Sequence, residues 1–244
     1  MSGTEPGTTG QVGKIREKFV GHPLSIDFFC EEAVMEPYAG CSVSAHHGRM
    51  ARPLQLTFLT SASKPGQLPE TDVEVAFVGR SNVGKSALIN ALANQRQLAR
   101  VSNTPGRTQL INLFTNAGGG VLVDLPGYGY AAVHAARRNA WRPMIEGYLT
   151  NREQLVMIYV LVDGEIGPTA LDLQMLEWLR HLALPHTIVA TKHDKVKPAK
   201  IGARKAELAK KCQLLPADVL WVSSSKGTGI DALRTLVVDQ LTSA

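Results

Sequence analysis

The stretch Gly79-Arg80-Ser81-Asn82-Val83-Gly84-Lys85-Ser86 constrains this chain more than any other. It fits GxxxxGK[ST] directly after a short β-rich apolar run and directly before a helix-forming one. A strand that turns this tightly into a helix needs glycine to let the backbone curl. The curl aims successive N–H groups, together with the positive end of the helix, at one point. That arrangement is a cradle for phosphates. Lys85 adds a mobile cation for the β- and γ-phosphates, and the Ser86 hydroxyl is placed to coordinate Mg²⁺.

The pattern around this element is that of an α/β chain. Residues 73–78 form the apolar run before it, and 85–94 the helix after it. Upstream, 54–59 reads as a short strand followed by the loop SASKPGQLPETD. Strand-like runs at 110–115 and 121–125, joined by AGGG, predict a hairpin. Apolar runs at 155–162, 187–190 and 219–222 then alternate with amphipathic stretches at 171–182, 200–212 and 230–241. Alternation of this kind predicts a largely parallel sheet with helices on both faces, made mixed by the hairpin. Residues 134–150 read as helical except for Pro143, where either the helix kinks or a new helix begins. Residues 1–52 show no sustained period and read as a flexible N-terminal extension, leaving 53–244 as one domain.

Composition narrows the function classes. The 244 residues include no apolar run of about 18, which argues against membrane insertion, and the N-terminus lacks an apolar leader, so the cytoplasm is the expected location. Three widely spaced cysteines do not suggest a disulfide framework, and Cys30, Cys41, His46 and His47 match no closed zinc pattern. A net charge of +5 favours a polyanionic partner without naming one.

Four further elements follow the phosphate cradle. Asp124-Leu125-Pro126-Gly127 ends a strand, where the carboxylate can hold the Mg²⁺ shell and the Gly127 N–H can reach a γ-phosphate. Between cradle and strand, the polar loop Asn103-Thr104-Pro105-Gly106-Arg107-Thr108-Gln109 carries Thr108, with Thr104 second, as candidate magnesium ligand in a segment that orders around the γ-phosphate. Thr191-Lys192-His193-Asp194 follows a later strand and resembles the [NT]KxD element. Its Asp194 can accept from both N1–H and the 2-amino group of guanine, a pair that adenine lacks. Lys192 can lay its stem along the base. Thr191 replaces the commoner asparagine and loses an amide that ties the base loop, which predicts modest affinity. Ser223-Ser224-Ser225 can present backbone N–H groups to guanine O6.

The segments EVAFVGRSNVGKSALINAL, SNTPGRTQLINLF, VDLPGYGYA, TKHDK and VSSSKGTGIDAL resemble those of the EngB/YsxC family of GTPases, over residues 54–241. The resemblance implies a Ras-like P-loop GTPase fold, Mg²⁺-dependent GTP hydrolysis, association with the large ribosomal subunit and its rRNA during assembly, and a link to septation. It places GTP or GDP contacts on Gly79, Arg80, Ser81, Asn82, Val83, Gly84, Lys85 and Ser86, then on Gly106, Arg107, Thr108, Gln109 and Leu110. Further contacts fall on Asp124, Leu125, Pro126 and Gly127, on Thr191, Lys192, His193 and Asp194, and on Val222, Ser223 and Ser224. Mg²⁺ would sit on Ser86 and Thr108, and the catalytic set would be Lys85, Thr108, Gly127 and Asn82. A monomer that binds no DNA is the expectation.

Tyr128 stands where many switch GTPases carry a water-orienting glutamine, so unaided hydrolysis is expected to be slow. Help would come from the ribosome, from K⁺ near Asn82, or from both. Lys197, Lys200, Arg204 and Lys211 share one helical flank, with Arg137, Arg138 and Arg142 as a second basic patch. Each patch is either an rRNA contact or a solvated face. Two other readings fit the same nucleotide site: another RNA-directed GTPase, or a division-machinery protein in which GTP is a structural ligand.

Overall fold

The structure, a computed structural model, describes residues 51–99, 110–129 and 135–242. The extension expected over 1–52 falls almost wholly outside them, as do Cys30, Cys41, His46 and His47.

Seven strands form one sheet: β1 (Leu56–Ala62), β2 (Glu74–Gly79), β3 (Ile111–Asn116), β4 (Val121–Asp124), β5 (Leu155–Asp163), β6 (His186–Thr191) and β7 (Val219–Trp221). Their order is β1-β3-β4-β2-β5-β6-β7. β3 and β4 pair antiparallel as the expected hairpin, with Asn112 opposite Asp124. β1 lies antiparallel to β3 at the edge, and its register shifts between Phe58 and Thr60. Every other pairing is parallel.

Alternation along the strands divides the core in two. On β2, Ala76 and Val78 face one side while Val75 and Phe77 face the other; on β5, Val160 and Tyr159 do the same. The first side is covered by α2 (Ala135–Asn151), α3 (Ala170–His181) and α4 (Ile201–Lys211), through residues such as Tyr148, Leu176 and Leu208. On the second side lie α1 (Lys85–Ala93) and α5 (Ile230–Thr242), through Leu88, Leu92, Leu233 and Val237. Each such aliphatic side chain, fully buried, contributes about 1.5–3 kcal/mol.

Pro143 lies inside α2, which runs unbroken from Ala135 to Asn151. Of the two expected outcomes, a restart at Pro143 is therefore excluded. The cost of one lost backbone bond is offset where the same helix buries Ile145, Tyr148 and Leu149. At the amino end of the sheet, Glu74 is wholly buried and accepts from the Tyr148 hydroxyl at 2.5 Å, from Arg152 Nη2 at 2.7 Å and from the Thr71 hydroxyl at 2.7 Å. This network clamps α2 to β2. Among the described residues no helix is long and apolar enough to cross a membrane.

Candidate functional site

The loops that follow β2, β4, β5, β6 and β7 all leave the carboxyl edge of the sheet, where ligands of open α/β folds bind. The turn after β2 has two left-handed residues, Asn82 at φ 65° and Gly84 at φ 103°. Gly84 opens α1 with no capping side chain, and the first helical backbone bond runs from Leu88 N–H to the Gly84 carbonyl. The N–H groups of the first turn therefore face the loop with the helix dipole behind them, ready for an anion. Gly79 has no room for a side chain, because a Cβ would lie 2.9 Å from the Leu161 carbonyl oxygen.

Lys85, only 7% exposed, contacts the carboxylate of Asp124, which is 2% exposed. In the absence of phosphates each neutralises the other. Ser86, half-buried in the first turn of α1, brings a hydroxyl and Asp124 a carboxylate, both hard oxygen donors. That hard oxygen donor set fits Mg²⁺, which keeps waters and phosphate oxygens as its remaining ligands. Thr108, the other expected ligand, lies outside the described residues, as do Thr104, Gly106, Arg107 and Gln109. Leu110 sits just ahead of β3 and is 40% exposed.

Leu125 and Pro126 are buried, and Gly127 lies against Ser81, whose hydroxyl donates to the Gly127 carbonyl at 3.2 Å. Tyr128 bridges to the phosphate loop: Ser81 N–H donates to its carbonyl at 2.9 Å. Its side chain turns into the core, where the hydroxyl donates to Asp172 Oδ1 at 2.7 Å. Burial first, then the Asp172 charge, push this phenol well above its ordinary value, so it stays a proton donor.

The base-reading loop is tied at three points. The Thr191 hydroxyl donates to the Val83 carbonyl at 2.6 Å, inside the phosphate loop. The amide is absent, as expected at this position, but the threonine hydroxyl still ties the loop to the phosphate loop. Lys192 pairs with Asp163 at 2.6 Å, and Asp163 also accepts from the N–H groups of Glu165 and Ile166. The Ser223 hydroxyl donates to Asp194 Oδ1 at 2.6 Å and, as the largest cause, holds that carboxyl below its ordinary value. Asp194 itself is exposed.

Ser223 differs from expectation in one respect. Its N–H is bound to the Thr228 carbonyl at 2.9 Å, and its hydroxyl is the group that reaches Asp194. Ser224 is half-buried beside it, and Val222 accepts from the His193 N–H at 3.1 Å, joining the two base loops. Under them lies Trp221, 7% exposed, with its ring edge-on to His193 at 5.8 Å and Lys205 of α4 over its face at 5.8 Å. Its indole N–H is buried without a partner among the described residues.

Sequence reasoning missed Asp163 and Asp172. Both had a signal: Asp163 ends a strand before a turn, and Asp172 stands three residues after Thr169 in a capping pattern. Of the four residues expected on one basic helical flank, only Arg204 and Lys211 lie on α4, and both pair with Glu207, at 3.1 Å and 2.9 Å. Lys197 and Lys200 precede α4 and are exposed. The side chains of Arg137, Arg138 and Arg142 lie outside those described.

Residues 74–192 match a family model described as a 50S ribosome-binding GTPase. The probable GTP-binding protein EngB of Citrifermentans bemidjiense is 46% identical over 180 residues, covering 73% of this chain and 84% of that one. EngB of Pelotomaculum thermopropionicum is 53% identical over 144 residues, 59% of this chain and 73% of that one. Among solved structures, a probable GTP-binding protein EngB superposes with a TM-score of 0.58 at 23% identity, covering 70% of this chain and all of that chain. Aquifex aeolicus Era bound to GDP·AlF4⁻ superposes with 0.57 at 24% identity, over 70% and 57% of the two chains. These structures share the P-loop GTPase fold. With the four nucleotide-site elements gathered on one edge of that fold, and with relatives matched over most of their own length, this chain belongs to the EngB family of GTP-binding proteins and is a GTPase.

Proposed function

We propose that this chain is a slow, Mg²⁺-dependent GTPase that binds the large ribosomal subunit during its assembly and serves normal septation, working as a cytoplasmic monomer. The observation that carries the reading is the union of two things. A guanine-selective carboxylate, Asp194, and a phosphate lysine, Lys85, share one sheet edge, in a chain whose residues 74–192 match a 50S ribosome-binding GTPase model.

The chemistry assigned to the residues follows from their surroundings. The first-turn N–H groups of α1 and the Lys85 ammonium bind the phosphates, and Lys85 leaves Asp124 as they arrive. Ser86 and Thr108 would hold Mg²⁺, which when bound would neutralise phosphate charge at this edge. Gly127 offers its N–H to the γ-phosphate. Asp194, oriented by Ser223, accepts the two guanine donors, and Lys192, fixed by Asp163, supports the base. Adenine would leave Asp194 desolvated and unpaired, which is the basis of selectivity.

Turnover is slow because Tyr128 places a buried phenol, bound to Asp172, where other GTPases hold a water-orienting group. The ribosome, or a K⁺ ion beside the exposed Asn82, supplies the missing help; equal turnover in Na⁺ and K⁺ buffers would remove the cation route. Residues 53–244 form the GTPase domain and 1–52 its extension. Exposed Lys197, Lys200 and Lys210 face rRNA phosphates.

Sedimentation with purified large subunits, in GDP, in a non-hydrolysable GTP analogue and without nucleotide, tests the reading. Association that depends on the GTP form is the expected result. No association in any state would reject the ribosomal role and leave the nucleotide chemistry intact.

A further inference from the structure

We infer that Tyr128 is a positioning residue: its hydroxyl, anchored on Asp172, holds Gly127 where the Gly127 N–H meets the γ-phosphate, and so ties that contact to the start of α3. The inference rests on the assignment of residues 124–127 to the γ-phosphate.

The segment is gripped from two sides. On the phosphate-loop side, Ser81 N–H donates to the Tyr128 carbonyl at 2.9 Å and Tyr128 N–H donates to the Gly79 carbonyl at 3.3 Å. Gly127 is pressed so close to Ser81 that a Cβ would lie 3.0 Å from the Ser81 backbone. On the helix side, the Tyr128 hydroxyl donates to Asp172 Oδ1 at 2.7 Å. Asp172 cannot follow a moving tyrosine, because Oδ2 is held by the Thr169 N–H at 2.8 Å and the Thr169 hydroxyl at 2.7 Å. Both partners are out of solvent, Tyr128 at 2% and Asp172 at 1% exposure. A hydrogen bond to a carboxylate in such a place is stronger than one in water.

Between these grips, the Gly127 N–H has no acceptor among the described residues, whereas those of Leu125 and Tyr128 both do. It is a donor kept in place and left open. The next residue, Gly129, turns at φ 79° directly against α3, where a Cβ would lie 2.8 Å from Leu171 Cδ1. The chain is therefore fixed through Tyr128. Because a ligand draws on a prepared geometry only where it makes contact, this grip favours the triphosphate selectively and leaves the diphosphate indifferent.

The test is calorimetric titration of the full chain with GDP and with a non-hydrolysable GTP analogue, in Mg²⁺, alongside thermal melts. Tyr128→Phe removes only the hydroxyl; it should raise the analogue Kd five- to tenfold, about 1 to 1.4 kcal/mol, with the GDP Kd within about twofold. Asp172→Asn keeps an acceptor oxygen and should show the same split at smaller size; if the phenylalanine variant fails to fold, this one decides. Thr169→Ala removes one of the two donors that hold Asp172 Oδ2 without touching Tyr128, so it should lower Tm and move the analogue-to-GDP ratio in the same direction by less than Asp172→Asn does. Equal losses for both nucleotides in Tyr128→Phe, or an unmoved ratio, would reduce the bond to ordinary packing and overturn the inference. A wild-type chain that bound neither nucleotide would instead overturn the site assignment beneath it.

Discussion

Two helices begin at the same edge of the sheet in opposite ways. α3 starts at Thr169 with its own acceptor in place, since Asp172 takes the Thr169 N–H and hydroxyl and still has an oxygen for Tyr128. α1 starts at Gly84 with no capping side chain and with a buried lysine as its first residue. One helix end is completed by the protein, and the other waits for something to complete it. The difference separates two kinds of buried carboxylate: Asp172 is satisfied by neutral donors at a helix start, while Asp124 is paired with the buried Lys85 cation.

Substitution at each end should break that contrast in its own way. Asp172→Ala strands the Tyr128 hydroxyl and the Thr169 donors inside the fold and should cost about 3–4 kcal/mol in denaturant unfolding. A cost below about 1 kcal/mol would mean the capped end is no more essential than the open one. Lys85→Ala should weaken GDP binding about 100-fold, about 2.7 kcal/mol, while Tm changes by far less than in Asp172→Ala. Comparable effects on melting would erase the distinction. At the base loop, Ser223→Ala should weaken GDP binding about tenfold by freeing Asp194. It carries a pH signature as well. Because the Ser223 hydroxyl holds Asp194 below its ordinary value, the ionised carboxylate is present above that range and is lost only as pH falls through the lowered value. Removing the hydroxyl moves the acid limb of GDP binding to higher pH. Thr169→Ala, the mildest change, should cost about 1 kcal/mol as the loss of a helix cap.

Most of the fold was legible in the chain. Short apolar runs with period two, set between amphipathic stretches, gave the strand–helix alternation, and AGGG marked the β3–β4 hairpin. Boundaries moved where polar residues complete a strand. β1 runs through Thr60 and Ser61 to Ala62, because β3 offers it hydrogen bonds, and no side-chain pattern signals a backbone partner 50 residues away. Nor did the sequence decide Pro143, since a helix tolerates proline only when tertiary packing outweighs it, as α2 packing does here.

Site residues were legible to the extent that their chemistry is local. Lys85, Asp124 and Asp194 follow from spacing alone, since a short motif brings its groups to the end of a strand. The groups that hold them do not. Asp163 meets Lys192 across 29 positions, Ser223 meets Asp194 across 29 and Thr191 meets Val83 across 108. Such partners become neighbours only through the sheet order, which the motif does not encode. Ser223 was expected to offer an N–H for a different reason: the serine run does not show how its own loop closes, and the pairing with Thr228 a few residues on takes that donor.

Trp221 gives the molecule a built-in optical gauge. Its indole lies out of water beneath His193 and beneath Lys205 of α4, with its N–H unshared among the described residues. Indole emission depends on the charges and dipoles beside the ring. Movement of either neighbour, whether by a base settling on the loop or by a polyanion drawing on the helix, would change the colour and yield of that light, so both events can be followed in the unlabelled chain.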